Sequence, residues 1–309
     1  MSIPPPRVAP PAHRDLGKPL EGVLWMLASG LSFVGVQGIV RALGTDLPAA
    51  QSAFLRYFFG LLMVLPFLPG MLRQGLPAGT AKLFIGRGIM QTLAVLLWFY
   101  AMARIPVAQV TAIGYLSPVI LMVGGALLLG EGLSRLRIAA VAVAVCGALI
   151  VLRPGVQVLQ LGHLSQIGSA LCFATSYMFA KKLSDRAPAS LIVAMMTLSV
   201  TIGMAPLAAL DWKPFSLHQA AALAVVAGFG TMGHYLMTRA FKVAPMAVTQ
   251  PVTFLQLVWA TTLGAVAFGE PVDGFVLLGG GMIIAAISAV TWAEWRRGAL
   301  RGRAMVRAP

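Results

Sequence analysis

Apolar residues run along this chain in blocks of about 20, each closed by a short break rich in polar residues, glycine or proline. The blocks fall near residues 22–42, 48–69, 80–103, 106–129, 134–152, 164–183, 188–210, 217–241, 245–268 and 272–294. At 1.5 Å per residue, about 20 helical residues cross a hydrocarbon layer about 30 Å thick. The pattern predicts an all-α polytopic membrane protein with ten transmembrane helices. Pro48, Pro106, Pro188 and Pro245 fall just inside predicted helix starts, where the missing N–H costs nothing.

The pattern also repeats. At an offset of 140 residues, Leu27–Phe33 falls on Ile167–Phe173, pairing Ser29 with Ser169 and Phe33 with Phe173. The same offset pairs Arg41 with Lys181, Pro48 with Pro188 and Pro66 with Pro206. One residue is then lost, and an offset of 139 pairs Pro106 with Pro245 and Gly130-Glu131 with Gly269-Glu270. The scarce prolines and Gly-Glu pairs carry the match, because apolar helices share a small alphabet. Each copy holds five spans, an odd number, so the second must lie upside down relative to the first. Residues 21–153 and 164–295 are therefore expected to form two inverted five-helix repeats. A disordered tail, 1–20, and a basic tail, 296–309, flank them. Inverted units can exchange conformations and open a midplane site to either side in turn.

Composition agrees with a lipid environment: 59% of residues are hydrophobic and only 10% charged, against about a quarter charged in a soluble domain. A net charge of +14 raises nucleic acid as a partner. That reading fails once the charges are placed, because they gather in loops and tails. With the N-terminus inside, 18 of the 23 Lys and Arg face the cytosol, from Arg7, Arg14 and Lys18 to Arg301, Arg303 and Arg307. The other side receives Arg41, Arg56, Arg104, Arg153 and Lys213. This is the positive-inside bias, and it predicts cytoplasmic N- and C-termini. Cys146 and Cys172 both lie in apolar runs, so no disulfide framework is expected.

Polar and aromatic residues inside the spans are the candidates for contact with a solute, since unpaired polar groups are costly in hydrocarbon. Arg87, Gln91 and Trp98 stand on one stripe of the third span, and the repeat maps Val95 of that stripe to His234. Thr111 and Tyr115 stand a turn apart in the fourth span and map to Gln250 and Phe254. Phe33 and Gln37 of the first span map to Phe173 and Tyr177. Arg56, two turns inside the second span, maps to Met196, so symmetry does not explain it. A wall of rings and amides suits an amphipathic solute.

The nine acidic residues are Asp15, Glu21, Asp46, Glu131, Asp185, Asp211, Glu270, Asp273 and Glu294, all in loops, tails or near helix ends. No carboxylate is placed to share a site between proton and substrate at mid-membrane, and no ATP-binding motif is present. Facilitated movement down the solute's own gradient is the simplest expectation, with proton linkage through His234 as the alternative. His13, His163, His218 and His234 are scattered, giving no metal cluster, cofactor or catalytic constellation.

The junction Trp98-Phe99-Tyr100-Ala101…Ile105-Pro106, the two Gly-Glu pairs and the paired five-span units resemble the EamA-type drug/metabolite transporter superfamily. Within it the chain is similar to bacterial amino-acid exporters, including the aromatic kind. The resemblance implies that helices 1–4 and 6–9 surround a central cavity, with helices 5 and 10 at the periphery. The chain is expected in the bacterial inner membrane as a monomer or homodimer, exporting an amino acid or related small metabolite by alternating access. The competing solutes are drugs, nucleosides and other metabolites.

Overall fold

The computed structural model describes residues 19–72, 75–117, 119–120, 135–153, 158–184, 186–244, 252–253 and 255–306. Among them every regular element is a helix. The principal ones are α1 (Pro19–Leu43), α2 (Ala49–Val64), α3 (Ala81–Met102), α4 (Val107–Gly114) and α5 (Arg135–Leu152). They continue as α6 (Leu161–Ser184), α7 (Ala189–Leu210), α8 (Leu217–Val243), α9 (Leu255–Phe268) and α10 (Gly274–Val306). A short helix, Leu68–Leu72, follows α2. Length and composition alone qualify four as membrane spans: Leu20–Leu43 of α1, and α3, α7 and α8. Shorter apolar helices lie in α2, α5, α9 and α10. Glu131, Pro245, Gln250 and Phe254 lie outside the described residues.

The prolines act one position earlier than expected. Pro48, Pro106 and Pro188 cap α2, α4 and α7 from outside, with extended backbone (ψ 141°, 143° and 149°). The repeat-equivalent Pro66 and Pro206 behave differently. α2 ends two residues before Pro66, whereas α7 continues through Pro206. At the other end α10 does not stop at residue 294 but runs through the basic stretch to Val306.

The bundle is built from pairs that cross between the two halves of the chain. α1 packs on α8 and α3 on α6, while α2 packs on α7 and α5 on α10. Exchanging the halves sends the first pair into the second and each of the others into itself, so the packing has two-fold symmetry. Two hydrogen bonds make it concrete. Ser29 Oγ on α1 donates to the Gly233 carbonyl on α8 at 2.9 Å, and Ser169 Oγ on α6 donates to the Ala94 carbonyl on α3 at 2.9 Å. These are the same bond under the offsets of 140 and 139.

Contact order along the helices gives their direction. On α5, Gly147 meets Gly279 and Ile283 of α10, and Val151 meets Gly279. Moving forward on one helix means moving backward on the other, so the equivalent helices α5 and α10 run antiparallel. Gly147 and Gly279 face each other's backbone carbonyls so closely that neither has room for a Cβ.

Six tie points gather where α1, α3, α5, α7 and α9 end and the even-numbered helices begin. Arg41 pairs with Glu270 at 2.8 Å and donates to the Met102 carbonyl at 3.4 Å. Glu270 Oε2 also accepts from the Val107 N–H at 3.1 Å, one of the unpaired donors at the start of α4. Glu270 thus places its negative charge at the start of α4, a helix of the other repeat. Gly269, at φ 63°, makes the left-handed turn that ends α9 and delivers that carboxylate. Arg153 pairs with Asp273, Gln51 Nε2 donates to the Lys213 carbonyl at 2.7 Å, and His163 bonds Gln109 at 3.0 Å.

Candidate functional site

A cavity of about 220 Å³ opens on the axis between the two halves. Its wall comes from α1, α2, α3, α4, α6 and α8, with Gln256 of α9 and the neighbouring Thr253. No described residue of α5, α7 or α10 reaches it. Helices 5 and 10 are peripheral, as the resemblance implied. α7 departs from that expectation, because it packs behind α2 and α3 and backs the wall instead of forming it.

Rings dominate the wall. Phe33 and His234 meet edge to face, with centroids 5.0 Å apart at 75°. Phe173 and Tyr177 stack one turn apart on α6 at 5.7 Å and 14°. Trp98 stands edge-on to Phe99 at 5.3 Å. Such rings offer flat apolar faces with few rotamers to freeze when a planar solute arrives. Hydrogen-bonding groups are set between them: Gln37, Thr111, Tyr115 and, beyond the expected set, Ser117, Gln166 and Gln256. Thr111 Oγ1 donates to the Val107 carbonyl at 2.9 Å, and Tyr115 Oη donates to the Thr253 carbonyl at 3.1 Å. Gln166 Nε2 donates to the Val110 carbonyl at 3.0 Å, leaving its Oε1 without a partner among the described residues.

Arg87 and Gln91 share a stripe with Trp98 yet do not line the cavity. Both are buried behind it, at 1% and 0% exposure. Gln91 is a connector. Its Oε1 accepts from Ser176 Oγ at 2.7 Å, and its Nε2 donates to Tyr57 Oη at 3.4 Å. Tyr57 lies on the wall beneath Arg56, whose guanidinium sits 3.8 Å from the Tyr57 ring centre. A polar chain therefore runs from α6 through α3 to α2 and ends at a cation facing the cavity. Arg87 donates to Met196 Sδ at 3.3 Å, while its Nε and Nη1 have no partner among the described residues.

Phe33, Gln37, Arg56, Trp98, Thr111, Tyr115, Phe173, Tyr177 and His234 are thus brought to one cavity. Tyr57, Ser117, Gln166 and Gln256 were not anticipated. Repeat symmetry held a signal for three of them, since the offsets pair Met26 with Gln166 and Ser117 with Gln256.

The sequence profile of the EamA-like transporter family matches this chain twice, over residues 20–153 and 160–292. A riboflavin transporter of Rhizobium johnstonii is 31% identical over 286 residues, covering 89% of this chain and 92% of that one. The pseudopaline exporter CntI of Pseudomonas aeruginosa is 26% identical over 277 residues, covering 88% and 96%. A solved crystal structure superposes with a TM-score of 0.62 at 14% identity, covering 88% of this chain and 98% of that one.

Proposed function

This chain belongs to the EamA-like transporter family, and on that premise we propose that it carries small metabolites joining a planar ring to polar substituents. The observation behind this reading is the wall itself, where Phe33, Trp98, Phe173 and Tyr177 alternate with amides and hydroxyls. Riboflavin and the aromatic amino acids both fit that description. The similarity to a riboflavin transporter makes riboflavin the first solute to test.

The two repeats form ten spans, inverted about an axis in the membrane plane, with both termini on the cytoplasmic side of the bacterial inner membrane. Solute then reaches the cavity from each side in turn as the repeats exchange conformations. Arg56 is the single charged side chain on the described wall, and no described carboxylate reaches it. Without an acid to alternate between proton and substrate, transport is facilitated and runs down the solute gradient.

Counterflow in proteoliposomes tests this. Labelled riboflavin, tryptophan and phenylalanine are compared with alanine, with and without an imposed pH gradient. At least one ring-bearing solute is expected to accumulate transiently without a pH gradient, and alanine is not. Equal counterflow of alanine would remove the aromatic reading. A strict requirement for a pH gradient would remove the facilitated mechanism.

A further inference from the structure

Arg56 and Gly230 are matched across the interface between the repeats. The guanidinium of Arg56, on α2, lies directly over Gly230 of α8, where a Cβ would collide with it. The offsets place Met196 at the position equivalent to Arg56 and Gln91 at the position equivalent to Gly230. The positions equivalent to this arginine–glycine contact thus carry methionine and glutamine in the other half. The symmetry is broken on both sides of one contact, and the change on α8 makes room for the change on α2.

The seated cation has no counter-ion among the described residues. Arg56 is 6% exposed and makes no ion pair among the described residues. A second buried guanidinium, Arg87, carries two nitrogens without partners among the described residues and brings no negative charge to the region. The described acids are engaged or placed elsewhere. Glu270 holds Arg41, Asp273 holds Arg153, and Glu21 accepts from Trp25 Nε1. Burying a cation without compensation is unfavourable, and in a membrane protein such residues mark the path of a charged partner. Tyr57 covers one face of the guanidinium, and the Ser176–Gln91–Tyr57 chain fixes that ring. Arg56 also lines the cavity, so its guanidinium is open to a ligand there.

We propose that the transported solute carries an anionic group, a carboxylate or a phosphate, and that Arg56, seated over Gly230, is the residue that receives it. The inference rests on the cavity being the transport site and adds the charge of what occupies it. Arg56 Nη donors meet the anion, and the aromatic wall takes the ring.

Equilibrium binding to the purified full chain in detergent tests this with two matched probe pairs. Flavin mononucleotide and riboflavin differ by a phosphate; indole-3-acetate and indole-3-ethanol differ by a carboxylate. The anion is expected to bind at least tenfold more tightly than its neutral partner in one pair or both, and the pair that responds identifies the anion. Arg56→Gln should reduce that ratio to about one. Arg56→Lys should retain part of it, and Gly230→Ala should lose most of it although the charge remains. Arg104→Gln, on an exposed arginine over Tyr100, should leave the ratio unchanged. Equal binding within both pairs overturns the anion assignment and leaves the aromatic transporter reading intact. Binding by none of the four probes overturns both, and an unchanged ratio in Arg56→Gln overturns the role of that residue.

Discussion

At the scale of single residues, the site is a set of flat rings held in place by neighbours of unlike kind. Trp98 is a wall residue whose edge contact with Phe99 fixes its plane. Removing the indole deletes a stacking face without touching any hydrogen bond in the polar chain behind it. Trp98→Ala should therefore weaken solute binding by about 1–2 kcal/mol, or roughly tenfold in half-saturating concentration, with normal membrane expression. Initial rates across a solute series in proteoliposomes measure it, and unchanged half-saturation would remove Trp98 from the binding surface. Its neighbours on the stripe show what sequence spacing leaves out. Arg87, Gln91 and Trp98 share a face of α3, but Arg87 is engaged by Met196 of α7 and Gln91 by Tyr57 of α2 and Ser176 of α6, and both are buried off the cavity. Spacing reports direction around one helix and is blind to what a second helix lays across it. Tyr57 was invisible for a related reason. It belongs to a run of three aromatic residues, and only the packing shows that Tyr57 turns inward while Phe58 stays exposed.

At the scale of helices, the legible part was the symmetry. Prolines and Gly-Glu pairs at nearly constant offset foretold two copies, and the cross-repeat packing of α1 on α8 and α3 on α6 has that two-fold form. The symmetry also sets an energetic expectation. Ser29 and Ser169 make equivalent bonds of equal length to carbonyls of the opposite repeat. Inter-helix hydrogen bonds in membrane proteins contribute about 0.6 kcal/mol on average. Ser29→Ala and Ser169→Ala should each destabilise by about that amount, and the double variant by about the sum, since the two sites share no partner. Thermal unfolding in detergent reports both, and strong non-additivity would mean that the two halves are coupled through more than these contacts. Equivalent residues need not act equivalently. Pro66 lies past the end of α2, whereas α7 accommodates Pro206 and keeps going.

At the scale of the molecule, the tie points at one end of the bundle bear on how it would open. Arg41 and Glu270 come from different repeats, and Glu270 reaches α4 of the first repeat through the Val107 N–H. One carboxylate therefore fastens α1, α4 and the turn between α9 and α10. On the topology proposed above this end faces outward, and the fastening would then oppose opening on that side. The repeat offsets give its counterparts at the cytosolic end as Lys181 and Glu131, of which Glu131 lies outside the described residues. If the repeats exchange conformations, weakening one fastening should favour opening at that end, and weakening its counterpart should oppose it. A single cysteine at Val36, on the cavity wall, in a background of Cys146→Ser and Cys172→Ser, makes the difference measurable. Glu270→Gln keeps the shape of the side chain but removes the ion pair. It should raise the rate of labelling by an impermeant maleimide added outside, by about fivefold for a bias of about 1 kcal/mol. Glu131→Gln should lower that rate. Opposite signs from two equivalent residues would follow from exchange between the repeats and not from general loosening, which raises labelling in both variants.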